Sequence, residues 1–113
     1  MSTTWTITRR RRPSAPGEVL AELYLAPRGI TVTRLAAAAG LSRKHVSDII
    51  HGRAGITAET AVRLGRVFGT SAGLWLGLQS DVDLYDAERA VPPEAVLPLA
   101  PAEGTGTGDE AAG

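Results

Sequence analysis

The chain has 113 residues, 12 basic and 12 acidic side chains, 43% hydrophobic residues and no cysteine. This length allows one small domain, and the absence of cysteine excludes disulfides, cysteine-based zinc sites and thiol nucleophiles, so we expect a reducing, cytoplasmic environment. No apolar run is long enough to span a membrane, and no apolar stretch follows the first basic cluster as a secretory signal would require.

Charge is distributed unevenly along the chain. Residues 1–75 hold eleven basic and four acidic side chains, a net charge of +7, whereas residues 76–113 hold one basic and eight acidic side chains, a net charge of −7. The front half therefore suits a polyanion and the back half suits a basic partner. The alternative is that these charges only solvate the two ends of a small protein.

Composition divides the chain into three parts. Residues 1–16 form a basic N-terminal arm, residues 17–90 form a compact domain, and residues 91–113 form an acidic, Pro/Gly-rich tail that we expect to be disordered. The arm either contacts DNA or is a solvated start to the chain, and a role in binding a protein partner stays open. Its basic character comes from four consecutive residues: Arg9, Arg10, Arg11 and Arg12.

The compact segment predicts an all-α fold of five helices, because its apolar residues recur at three and four positions. The first helix, over about residues 17–26, is expected to turn Leu20, Leu23 and Tyr24 inward. Hydroxyl residues and glycines mark the limits of the next three helices, since a hydroxyl oxygen can cap a first turn and glycine suits the left-handed position past a helix end. The pattern predicts caps at Thr31, Ser42 and Thr57, and C-terminal glycines at Gly40, Gly52 and Gly69.

A long fifth helix is predicted over about residues 72–89, after a cap at Ser71. Its apolar stripe is long for a terminal helix, and a domain of this size is marginal without further burial. Trp75 and Phe68 are expected in the core or an interface rather than in a ligand pocket, because aromatics at helical spacing are usually core. We therefore expect a homodimer interface on this helix, formed by Leu74, Trp75, Leu78, Val82 and Tyr85.

The most informative stretch is residues 35–52, which predicts a helix-turn-helix. Ala36 is small enough for two helices to approach closely, Gly40 suits a left-handed turn, and Leu41 fills the core behind that turn. The second helix of the pair then presents a polar face whose first turn carries two cations, which suits insertion into the major groove of DNA. The outward residues of this face are Arg43, Lys44, Ser47 and Asp48.

This segment resembles the helix-turn-helix of the repressor-like (XRE) superfamily. Residues 35–46 match its pattern of Leu-Ala, three residues, Gly, an apolar residue, Ser, three residues and an apolar residue. Three flanking segments narrow the resemblance to one family within this superfamily. They are Pro-Gly-Glu-Val-Leu at 16–20, Gly-Ile-Thr-Ala-Glu-Thr-Ala at 55–61 and Phe-Gly-Thr-Ser at 68–71. Over about residues 13–86 the chain looks like the HigA-type antitoxins of toxin-antitoxin modules.

The resemblance implies an autoregulating antitoxin. Such a protein is a homodimer that represses its own operon by binding an inverted-repeat operator, here through the third helix, and that neutralises a small, basic, mRNA-cleaving toxin. The main alternative is a stand-alone XRE regulator without a toxin partner. A further alternative is a protein-interaction adaptor that no longer binds DNA, although the +7 charge of the front half disfavours it.

Superfamily roles transfer by position to seven residues. The resemblance implies base-reading roles for Arg43, Lys44, Ser47 and Asp48. It implies phosphate contacts for Thr31, His51 and Arg53, and the cap position of Ser42 also places it where the helix N-terminus faces a phosphate. Asp48 has two equally supported roles, because it can accept from a cytosine amino group or pair with Lys44 four residues earlier on the same helix.

Two other kinds of site are disfavoured. His45 and His51 lie about 240° apart around a helix, so they cannot share a metal ion. Ser42, His45 and Asp48 have the residue types of a hydrolytic triad, but all three lie on one surface helix without a pocket or an oxyanion hole. We therefore expect no enzymatic activity, no metal site and no cofactor.

Overall fold

The computed structural model describes residues 11–99, and within this range the chain forms five helices and no strand. The prediction of an all-α, five-helix fold is thus confirmed. A short 3-10 turn over Pro93–Ala95 follows the last helix. In chain order the helices are α1 (α-helix Pro16–Val19, π-helix Leu20–Leu25 and 3-10 helix Ala26–Arg28), α2 (Val32–Ala39), α3 (Arg43–Ile50), α4 (Ala58–Phe68) and α5 (Ala72–Ala90).

Helices α2 to α5 each begin at a hydroxyl residue that caps the first turn. In every case the side-chain oxygen accepts a hydrogen bond from the backbone N–H three residues later, over 3.0–3.2 Å. Such a cap satisfies one of the backbone donors that a first turn leaves unpaired, and it contributes about 1 kcal/mol. The four cap residues are those predicted from the sequence: Thr31, Ser42, Thr57 and Ser71.

All five helices contribute side chains to one hydrophobic core. Tyr24, Phe68 and Trp75 form an aromatic cluster within it, with ring centroids 4.9–6.1 Å apart. The indole N–H of Trp75 donates to Thr70 Oγ1 over 2.9 Å, so burial leaves no unpaired donor. Burial of each large side chain contributes about 1.5–3 kcal/mol. Those below 2% exposure are Leu20, Leu35, Val46, Ile49, Leu64 and Trp75.

The buried face of the first helix differs from the predicted face, because Leu23 is 62% exposed whereas Leu25 is buried. Its middle section is a π-helix, in which hydrogen bonds join residues five apart. Leu20 and Leu25 therefore share the buried side, and Leu23 turns outward. A period of 3.6 residues, which the sequence pattern assumed, cannot place these two leucines together.

The last helix corrects the predicted dimer interface at two positions. Trp75 has no exposed surface and Val82 is only 5% exposed, both inside the protomer, so neither side chain can contact a second copy. Of the predicted inner stripe of Leu74, Leu78, Val82 and Tyr85, Val82 is buried as expected, but Trp75 rather than Leu74 is buried at its N-terminal end. Leu74 is 38% exposed, while Leu78 and Tyr85 are half-buried.

The two ends of the described chain differ in how they contact the domain. Arg12 forms a two-pronged ion pair with Asp86 of α5, with Nε–Oδ1 and Nη2–Oδ2 distances of 3.1 and 2.9 Å. Arg12, which the sequence analysis assigns to the arm, therefore contacts α5 through its side chain. Residues 91–99 are exposed, and Arg9, Arg10 and residues 100–113 lie outside the described range. Among the described helices, none has the length and apolar character that crossing a membrane requires.

Candidate nucleic-acid interface

A tight turn joins α2 to α3. Gly40 has φ = 71°, a left-handed conformation that costs glycine little and other residues more. Its N–H and the N–H of Leu41 both donate to the carbonyl of Ala36, which satisfies the end of α2. The turn therefore has a fixed geometry, and this geometry sets the angle at which α3 leaves α2.

Arg63 of α4 fixes the same turn from the other side. Its Nη1 donates to the carbonyl oxygens of Ala39 at 2.9 Å and Gly40 at 3.4 Å. Glu59, one turn earlier on α4, orients the guanidinium through a 3.0 Å hydrogen bond to Nε. No role for Arg63 was predicted from the sequence. Its spacing from Glu59 is typical of an ion pair, but its contact with α2 depends on tertiary packing.

The inner side of α3 is anchored in the core. Val46 has no exposed surface and Ile49 is 2% exposed. Gly17 of α1 lies directly against the backbone of α3, because a β-carbon at Gly17 would overlap the carbonyl group of Ile49. These contacts hold α3 in a defined position, so its outer face is presented rigidly.

The four predicted base-reading residues share this outer face, since positions 43 and 47 and positions 44 and 48 are each one turn apart. Arg43 is exposed, and the Lys44 side chain is 84% exposed. Ser47 and Asp48 are half-buried. The first turn of α3 therefore presents two cations to solvent, at the end where the helix dipole is positive.

Asp48 pairs with two cations. Its Oδ2 lies 2.9 Å from Lys44 Nζ, and its Oδ1 lies 3.0 Å from Arg53 Nε. These hydrogen bonds, that of Lys44 first, lower the pKa of the Asp48 carboxyl below its usual value, so it is ionised at neutral pH. Of the two roles left open by the sequence, the structure contains the pairing with Lys44 and adds a second pairing with Arg53.

The loop after α3 is held against the helix by backbone contacts. The carbonyl of Asp48 accepts from the N–H groups of Arg53 at 2.7 Å and Ala54 at 3.1 Å. His51 Nδ1 lies 2.9 Å from the carbonyl oxygen of Ser47, which can only accept, so Nδ1 carries the proton and donates. His51 and Arg53, the predicted phosphate ligands of this loop, are therefore both exposed and both oriented by residues of α3.

Thr31 and Ser42, the other predicted phosphate ligands, stand at the starts of α2 and α3. Each side-chain oxygen accepts from its own helix, at 3.1 Å for Thr31 and 3.0 Å for Ser42, so each hydroxyl proton remains to be donated elsewhere. Both residues are exposed. A helix N-terminus with exposed N–H groups favours a nearby anion.

Two further groups from the sequence analysis are the described arginines of the arm and the residues of the disfavoured triad. In the arm, Arg11 is exposed whereas Arg12 is paired with Asp86. His45 Nε2 is buried without a hydrogen-bond partner among the described residues. Ser42 caps the backbone N–H of His45, and Asp48 pairs with cations instead of the imidazole, so these three residues do not form a proton relay.

Comparison with known proteins agrees with this geometry. Residues 20–75 match the helix-turn-helix family. Over 92 residues the chain is 40% identical to antitoxin HigA-1 of Vibrio cholerae, covering 80% of this chain and 87% of that protein. It is also 38% identical over 79 residues to an uncharacterised HTH-type transcriptional regulator of Haemophilus influenzae, covering 70% and 74% of the two chains.

Among solved structures, the fold is similar to that of the Pseudomonas aeruginosa antitoxin HigA with the higBA promoter. The TM-score is 0.74 at 39% identity, over 79% of this chain and 100% of that one. The fold and these similarities define a helix-turn-helix protein of the XRE type. Within that class, the chain belongs to the HigA-type antitoxin family.

Proposed function

We propose that this protein binds operator DNA specifically and represses its own operon. The observation that carries the proposal is the cationic first turn of α3, where Arg43 and Lys44 project from a helix whose opposite side is locked into the core. Arginine or lysine in this position can donate to guanine O6 and N7 in the major groove. Thr31, His51 and Arg53 flank the turn and are suited to adjacent phosphates. The similarity to the P. aeruginosa HigA, whose structure includes the higBA promoter, also supports the proposal.

The functional unit in this proposal is a homodimer. A two-fold axis would set two α3 helices in successive major grooves about 34 Å apart, so the operator is an inverted repeat with half-sites about one turn apart. The outer side of α5 supplies the interface, since Leu74 and Leu84 are 38% and 55% exposed there. Leu78 and Tyr85, both half-buried, contribute at its edge.

The second activity in this proposal is neutralisation of a basic toxin. Exposed acidic side chains on α5 and just beyond it, including Asp83, Glu88 and Glu94, offer a basic partner an electrostatic surface. DNA binding and toxin binding would then use surfaces of opposite charge. Both activities place the protein in the cytoplasm.

A gel-shift experiment with DNA from the gene's own upstream region tests the repressor function. We expect retardation that scrambled competitor does not abolish, and an affinity that falls steeply with salt, because phosphate contacts release counterions. Co-purification with a small basic protein encoded by an adjacent reading frame tests the antitoxin function. If the protein bound scrambled DNA as tightly as the upstream DNA in the gel shift, operator recognition would be contradicted.

The alternative is a stand-alone regulator, which the similarity to the H. influenzae regulator supports. The two functions differ in their need for a partner. If the protein retards operator DNA in the gel shift but no adjacent reading frame encodes a protein that co-purifies with it, the protein is a stand-alone regulator.

A further inference from the structure

Asp48 is the point where the recognition helix and the following loop meet electrostatically. Its two carboxylate oxygens pair with different cations, Lys44 one turn earlier on α3 and Arg53 in the loop. Its backbone carbonyl also accepts from Arg53 and Ala54. The Asp48 side chain is 19% exposed, against 84% for Lys44 and 60% for Arg53. The anion is thus the covered partner, and the two cations extend from it toward solvent.

This arrangement is unfavourable for direct base reading by Asp48. A cytosine amino group would have to reach a carboxylate that is only 19% exposed, and whose charge is already paired with Lys44 and Arg53. The contacts favour a role in which Asp48 acts through its two neighbours.

Tethering also changes what the two cations can do. A free lysine or arginine has many rotamers and can follow any phosphate, whereas a paired one has lost part of that freedom before DNA arrives. The carboxylate also cancels one of the two positive charges that non-specific DNA would encounter. Both effects reduce sequence-independent affinity more than the affinity for a site whose acceptors match the held geometry.

We propose that Asp48 is a positioning residue that sets DNA specificity by restraining Lys44 and Arg53, without itself contacting a base. The inference rests on the proposed DNA binding. In this role, Asp48 contributes to discrimination between operator and other DNA by weakening the binding of other DNA. Specificity of this kind combines an unfavourable interaction with non-cognate DNA and favourable contacts with the operator.

The variant Asp48→Asn tests this role, because it removes the charge with little change of shape. Affinity should be measured for a duplex that the wild-type protein selects from a randomised library and for a scrambled duplex, each over a salt series. We expect the scrambled duplex to bind about tenfold more tightly and its salt slope to steepen by about one phosphate contact, since one restrained cation becomes available. The ratio of the two affinities should fall by a similar factor.

Controls separate restraint from simple loss of charge. Glu22→Gln on α1 removes one exposed carboxylate outside α3 and its loop, and should leave the ratio unchanged. Asp48→Glu retains a carboxylate one turn from Lys44 and should restore most of the ratio. In a Lys44→Gln, Arg53→Gln background, Asp48→Asn should no longer change the ratio, because the restrained groups are absent.

Two results would overturn the inference. One is weaker binding of the selected duplex with unchanged affinity for scrambled DNA, which identifies a base reader. The other is an equal fall of the ratio in the Lys44→Gln, Arg53→Gln background. A wild-type protein that selects no sequence would contradict the proposed function itself, and the inference with it, whereas normal selection without this coupling contradicts only the role of Asp48.

Discussion

At the scale of single residues, the interface depends on side chains that hold other groups in place. Arg63 shows this for the turn, because one guanidinium binds Glu59 on its own helix and the carbonyl oxygens at the end of α2. Asp48 shows it for the recognition helix. The groups proposed to contact DNA are therefore oriented by residues that need not contact it.

Replacing Arg63 with Met should destabilise the domain by about 1–2 kcal/mol, because the Ala39 carbonyl loses a charged donor while the aliphatic stem keeps its packing. Urea unfolding followed by circular dichroism measures the change. Arg66→Met is a matched control on the same helix, since Arg66 is exposed and makes no hydrogen bond or ion pair with residues 11–99. Equal stability of the two variants would refute the turn-fixing role.

The extent to which the sequence predicted these residues follows from how local each interaction is. Thr31, Ser42 and Ser71 cap their own helices, so spacing alone identified them. The contact from Arg63 to α2 and the pair between Arg12 and Asp86 join residues 24 and 74 positions apart. No local pattern specifies such contacts, and neither was predicted from the sequence.

At the scale of helices, α1 supports α3 through a close backbone approach. Replacing Gly17 with Ala should destabilise the domain by about 1–3 kcal/mol, because the new methyl group collides with the carbonyl of Ile49 and pushes α1 and α3 apart. Gly77→Ala on α5 is the control, since a β-carbon there meets nothing within 4 Å and alanine favours a helix by up to about 1 kcal/mol. Thermal unfolding distinguishes the two, and a Gly17→Ala protein as stable as the parent would contradict the close approach.

The placement of Trp75 on α5 could not be predicted precisely, for a related reason. The sequence pattern favoured an inner stripe of Leu74, Leu78, Val82 and Tyr85, with Trp75 beside it. Packing instead buries Trp75, whose indole fits beside Tyr24 and Phe68 and finds a hydrogen-bond acceptor in Thr70. The face of α5 that becomes buried therefore depends on the shape of the core, which is formed by several helices and is not encoded in the sequence of α5 alone.

The ion pair between Arg12 and Asp86 of α5 should depend on pH. Arg12 lowers the pKa of Asp86, so the pair stabilises the fold above about pH 4, the ordinary value for an aspartate, and its contribution is lost as the pH falls through the lowered pKa. Asp86→Asn should therefore melt at a slightly lower temperature than the parent at pH 7, and the difference should vanish as the pH falls through the lowered pKa of Asp86. Glu88→Gln removes a charge from the same helix as a control. A difference that persists at low pH would exclude the ion pair as its cause.

At the scale of the whole molecule, the charge asymmetry of the sequence is carried by different helices. The exposed cations Arg43 and Lys44 lie on the first turn of α3, whereas α5 carries exposed acidic side chains. The remaining exposed leucines of α5 are the surface available for self-association.

Dimer formation can be tested by charging that surface. Replacing Leu74 and Leu84 together with Glu should raise the dimer dissociation constant at least about tenfold, because apolar area would be exchanged for buried, repelling charges. Sedimentation equilibrium measures the constant. Leu97→Glu, at an 82% exposed position beyond α5, is the control. Unchanged association of the doubly charged protein would place the interface elsewhere.

The most direct test of the central claim, that α3 reads DNA, is competitive gel-shift analysis of the Arg43→Ala, Lys44→Ala double variant beside the wild-type protein. The probe is DNA from the gene's upstream region, with scrambled competitor, and circular dichroism verifies that both proteins are folded. Loss of two base-contacting cations should remove about 2–6 kcal/mol of discrimination and bring operator affinity down to that for scrambled DNA. A folded double variant that retains wild-type preference for the operator would contradict the assignment of α3 as the recognition helix.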